Sequence, residues 1–167
     1  MPIEMVWSSS RDDLFDVRQF ASGLLDRAKE HLERDDYVQS AAFLVTGTEV
    51  QCYSVAFSGY EEKAATYDYD EVVQKARELK AQAIMTLNDA FIGEQYDSAG
   101  YEWGQIAKNP KGECLFVTVS GPGLENWTKE IKYHRGTEGI VFSAPAEERN
   151  SFIGMLGDWS RNGQRVN

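Results

Sequence analysis

A chain of 167 residues, 42% apolar and 26% charged, is long enough for one sizeable core and too short for a two-domain enzyme. Its 17 Lys and Arg stand against 27 Asp and Glu, a formal net charge of -10 that repels a phosphate backbone and disfavours direct nucleic-acid binding. No apolar run approaches the ~20 residues of a membrane-spanning helix, and Met1-Pro2-Ile3-Glu4-Met5 lacks the basic and apolar regions of a secretory signal, so a cytoplasmic protein without a membrane partner is expected.

Ser8-Ser9-Ser10-Arg11-Asp12-Asp13 combines N-cap residues with carboxylates suited to the positive end of a helix dipole, so a helix is expected to begin there. From Leu14 onward apolar residues recur at Val17, Ala21, Leu24, Leu25, Ala28 and Leu32, on one stripe. Asp16, Arg27, Glu30, Glu33 and Arg34 fall opposite, and the helix should stop near Asp35-Asp36.

Two β-favouring runs follow, Val38 to Thr46 and Glu49 to Phe57, joined by a tight turn at Gly47-Thr48. Ala41 to Val45 is apolar on both faces, which places it inside a sheet. A second helix is expected at about 70–82, capped by Asp70, with the stripe Val73, Ala76, Leu79 and Lys80 beside Val72. Ala83 to Leu87 then reads as a buried strand whose helical crossover would give one parallel pair.

Residues 93–112 show glycines without periodicity and read as a long loop. Glu113 to Ser120, Leu124 to His134 and Ile140 to Ser143 read as an antiparallel meander with turns at Gly121-Pro122-Gly123 and Arg135 to Gly139. Pro145 and Glu147-Glu148 should end the sheet, and Phe152, Met155, Leu156 and Trp159 suggest a short closing helix. The expectation is one α+β domain over 1–167. It has a single mixed, mainly antiparallel sheet of about six strands, helices packed on one face, and the order α-β-β-α-β-β-β-β-α.

No motif fixes a chemistry. Cys52 and Cys114 have neither disulfide-framework nor metal spacing, so reduced thiols and no metal are expected. Cys114 and His134 form the best nucleophile and base pair, but a hairpin centred on Gly121–Gly123 sets Cys114 opposite about residue 130, with His134 beyond it. Cys114 then reads as core and His31 as a solvated surface residue. Asn88-Asp89, with Glu94 and Asp97, is a dense oxygen-ligand group without a calcium-loop pattern and reads as a turn. No G-x-S-x-G elbow, phosphate loop or carboxylate pair stands out, so no catalytic residue and no cofactor is assigned.

The remaining signals concern recognition. Phe91, Tyr96, Tyr101 and Trp103 cluster among Gly, Glu94, Asp97 and Glu102, and aromatics give much contact area at little rotamer cost. Residues 1–70 hold 6 basic and 14 acidic side chains, and 71–167 hold 11 and 13, so the negative charge is concentrated in the N-terminal part. The leading expectation is a non-enzymatic protein that binds another protein, with a basic partner suiting its acidic helix. Tyr96, Tyr101, Glu102 and Trp103 would be the contact residues, in an inhibitor, immunity or adaptor role supported by charge alone. The alternatives are a small enzyme or ligand-binding domain with a pocket between sheet and loop, using Asp89, Glu94 or Cys114, and a homo-oligomeric structural component.

Overall fold

The computed structural model describes residues 3–10, 16–55, 69–92 and 112–150, together with Leu156 and Trp159. Within them the order is β1 (Glu4–Ser10), α1 (Val17–Asp35), β2 (Ala41–Thr46), β3 (Glu49–Ser54), α2 (Asp70–Glu78), β4 (Ala83–Ile92), β5 (Gly112–Ser120), β6 (Trp127–Gly136), β7 (Gly139–Phe142) and β8 (Ala146–Arg149). The eight strands form one sheet in the order β1-β3-β2-β4-β5-β6-β7, with β8 also on β6, and every described pairing is antiparallel. The α+β class holds, with eight strands in place of about six.

The start of the chain departs most from the expected order. Ser8 to Ser10 belong to β1, which pairs with β3, and the helix begins later, after Asp16. Asp16 Oδ1 accepts the amides of Arg18 at 2.9 Å and Gln19 at 3.2 Å, satisfying two of the donors a helix N-terminus leaves open. At the other end Asp36 turns left-handed at φ 64° and its amide bonds Leu32 O, which ends α1 where expected.

α2 is shorter than the expected 70–82. Tyr69, not Asp70, is the cap residue, and the buried stripe is Val72 and Ala76, with Leu79 36% exposed. Lys80 takes φ 53°, and the amides of Lys80 and Ala81 bond Arg77 O and Ala76 O. That is the paired closure for which glycine is usual. The crossover from β3 through α2 to β4 leaves these strands running the same way, but β2 lies between them, so the expected parallel pair does not form.

The helices pack on opposite faces, not on one. Side chains alternate along a strand, and the split is clean in β2. Phe43 and Val45 join Leu24, Leu25, Ala28 and Leu32 of α1, whereas Ala42 and Leu44 join Val72 and Ala76 of α2 with Leu156 and Trp159. The expected closing helix lies outside the described residues except for those last two, both buried on the α2 face.

β8 corrects the expected end of the sheet. β7 pairs Phe142 with Tyr133, and β8 resumes with Ala146 opposite Glu130, so three residues, Ser143 to Pro145, face two. The proline, which has no amide hydrogen, sits in this bulge.

Candidate functional site

α1 lies over β4, β5 and β6 and borders Phe43 of β2, and among the described residues no helix covers β3 and β1 on the same face. A cleft of about 360 Å³ opens along this boundary, within the size range of small recognition pockets. Two adjacent ridges of α1 form one wall, Leu24 and Ala28 inside, Arg27, His31 and Asp35 at the mouth, each spaced by four residues. Trp7, Phe43 and Leu87 line it from the sheet, and Tyr37, Val38 and Gln39 from the segment entering β2.

Register explains how β1 reaches the cleft. Trp7, Cys52 and Phe43 align across β1, β3 and β2, and the Trp7 and Phe43 rings lie 5.8 Å apart between centroids at 58°. Cys52 is buried in this row, and burial raises its thiol to about 11, so it stays protonated and inert. Val6 is an extra residue between the Met5–Tyr53 and Trp7–Cys52 pairs. Met5, Val6 and Trp7 are 57%, 60% and 38% exposed, three consecutive large apolar residues on the terminal strand of the sheet.

The mouth of the cleft is polar and internally bonded. Arg34 Nη2 donates to His31 Nδ1 at 2.7 Å, and the same Nδ1 lies 3.5 Å from Asp35 Oδ2. Arg34 also grips Asp35 through Nε and Nη2, at 3.1 and 3.0 Å. Its hydrogen bond holds the Asp35 carboxyl below the usual carboxylate range.

A second polar cluster lies on the α1 face at the far end of β4 to β6. Asn88 and Asp89 are residues of β4, not of a turn. Asp89 is 6% exposed, and its Oδ1 accepts Tyr133 OH at 2.6 Å. The same hydroxyl lies 3.4 Å from Glu113 Oε1, Arg135 Nε donates to Glu113 Oε2 at 3.1 Å, and Arg135 bonds Asp36 at the end of α1. Burial, then the hydrogen bond and charge of Asp89, push the Tyr133 phenol far above its ordinary value. This chain of bonds ties β4, β5, β6 and the end of α1 together, and it occupies the Asp89 side chain in packing.

On the α2 face the Thr86 and Thr118 hydroxyls meet at 2.5 Å, Trp159 Nε1 donates to Ser120 Oγ at 3.1 Å and Tyr69 OH donates to Asn88 Oδ1 at 2.9 Å. Asn88 Nδ2 is buried without a partner among the described residues.

Tyr96, Tyr101, Glu102 and Trp103 lie outside the described residues, as do Glu94 and Asp97, and Phe91 belongs to β4. Cys114 is buried opposite Lys132, two residues away from the expected partner near 130, because the hairpin is centred one residue later. His134 is therefore a diagonal neighbour of Cys114, but it is exposed while the thiol is buried. His31 is exposed as expected, though at the mouth of the cleft. Among the described residues no three His, Cys, Asp or Glu side chains converge as a metal site, and no helix is long and apolar enough to cross a membrane.

The sequence carries only a weak signal for Trp7 and the β1 edge. Met5-Val6-Trp7 is a short β-favouring run, but the Ser8 to Asp13 cap signal absorbed its neighbours. Compared with protein-family models, curated proteins and solved structures, the chain finds no match in any of the three.

Proposed function

We propose that the protein acts by binding another protein, at the β1 edge and the cleft beside it. The observation that carries this reading is the run of Met5, Val6 and Trp7, exposed together on a terminal strand. Edge strands present unpaired backbone groups, and proteins ordinarily blunt them with charge or proline, whereas this one presents apolar surface. The excess of negative charge in residues 1–70 favours a basic partner through faster, oriented encounter. The aromatic residues Tyr96, Tyr101 and Trp103, with Glu102, stay in the proposal as a second contact segment.

The test is to cross-link and identify the partner in the native cell, purify the pair, and measure affinity by calorimetry. Val6→Lys and Val6→Glu should each weaken binding by at least about tenfold, or 1.4 kcal/mol, while stability changes by no more than about 0.5 kcal/mol. Unchanged affinity in both variants overturns the edge as the site. Loss with Tyr101→Ala or Trp103→Ala in its place would move recognition to that segment. Self-association of the pure chain that Val6→Lys and Val6→Glu both abolish would assign the edge to a homo-oligomer.

A further inference from the structure

The chemistry of the partner segment is legible at the same site, on the reading that β1 is the docking edge. We infer that the partner supplies an extended strand that pairs with β1, sets one large apolar side chain into the cleft against Trp7 and Phe43, and carries Lys or Arg on either side. Strand addition draws affinity from main-chain hydrogen bonds and specificity from a pocket for alternate side chains, and both parts are adjacent here. Trp7 joins them. It stands on the edge strand, yet its ring reaches across β3 to Phe43 and forms part of the cleft wall. The pocket's inner surface is apolar, Leu24, Ala28, Phe43 and Leu87, which suits an aliphatic or aromatic side chain more than a polar one.

Charge selects the flanks. Glu4 on β1 and Glu49 on the neighbouring β3, opposite Ser10, are exposed at the two ends of the edge, while at the mouth of the cleft Asp35 is already paired with Arg34 beside Arg27, so the negative charge lies at the strand ends. β1, β2 and β3 hold two acidic side chains, Glu4 and Glu49, and no Lys or Arg, whereas α1 holds four acidic and four basic side chains. An acidic strand would meet like charge at both ends, and so would a second copy of this chain, whose own edge carries Glu4. The bulge at Val6 adds local twist and bends the edge strand, which works against flat stacking of identical edges.

The experiment selects binders for the full-length protein from a library of short random peptides and measures the enriched sequences one by one. The expected peptides alternate apolar and polar residues, contain one large apolar residue and carry Lys or Arg beside it. Ala in place of that residue, and Trp7→Ala in the protein, should each weaken binding about tenfold or more, and the two losses together should fall well short of their product, since they remove the same contact. Hydrogen exchange should slow at the amides of β1 in the complex. Acidic peptides, peptides without a large apolar residue, multiplicative losses or an empty selection would each overturn the inference. Peptides that protect β1 and are lost with Val6→Lys and Val6→Glu, yet show no coupling to Trp7, would remove the pocket and leave the edge. Peptides indifferent to both Val6 variants and leaving β1 exchange unaltered would remove the edge itself.

Discussion

Two buried groups, Asp89 and Tyr133, show how a single polar contact sets conditions on the fold. Asp89 needs a hydrogen-bond partner, because a carboxyl group at 6% exposure loses most of its hydration. Tyr133→Phe removes the hydroxyl 2.6 Å away and should cost about 1–3 kcal/mol in urea unfolding at neutral pH. The same residue carries a pH dependence of definite sign. Its folded-state value is raised above the ordinary phenol value of 10.0, so its contribution is fully present below pH 10 and fades as pH climbs past it. The stability gap between the native protein and Tyr133→Phe should therefore narrow above pH 10, by up to about 1.4 kcal/mol per pH unit. A gap that stays constant from pH 7 to 11 would show that the buried phenol contributes no such linkage. The sequence gives Asp89 and Tyr133 no visible relation. They are 44 positions apart, on strands separated by β5.

At the scale of elements, local pattern was most legible where one stripe or one turn decides the outcome. The stripe from Val17 to Leu32 is α1, and Gly47 takes φ 53° at the turn between β2 and β3, both as the spacing requires. α2 ends before the expected residue 82 because Lys80 holds the left-handed position, with no glycine there to mark it. The Gly121-Pro122-Gly123 turn was legible as a turn, but its two glycines do different things. A Cβ on Gly121 would strike Gln82 O and crowd Ala83 Cα at 3.1 Å, where the hairpin lies against the chain entering β4. Gly123 has open space and φ 72°, so only backbone conformation is at issue. Gly121→Ala should cost about 1–3 kcal/mol or more through backbone displacement, and Gly123→Ala about 1–2 kcal/mol. Thermal unfolding of the two variants checks the order, and an equal or smaller cost at Gly121 would contradict the close approach.

Over the whole molecule, a charge of -10 on 167 residues weakens the compact state through self-repulsion, and salt screens that repulsion. The melting temperature should rise by a few degrees between low and moderate ionic strength, with sodium chloride sufficient for the effect. A melting temperature that falls with salt would mean that favourable ion pairs, such as Arg135 with Asp36 and Glu113, outweigh the net charge. The placing of the helices is also decided at this scale. Ala41 to Val45 is apolar on both faces, a pattern that demands cover on both, so α1 over Phe43 and α2 over Leu44 answer one requirement written in β2.

By itself the sequence determined which side chains must leave water and with what period, and that is enough for α1, for β2 to β7 and for the antiparallel hairpins. Only the tertiary structure decided what each buried stripe packs against. It joined β1 to β3, returned β8 to β6 beyond a proline bulge, put β2 between β3 and β4, and set Trp7 beside the cleft. The physical reason is range: periodicity is fixed by neighbours a few residues apart, whereas partners across a sheet are chosen by burial and backbone pairing between segments far apart in the chain.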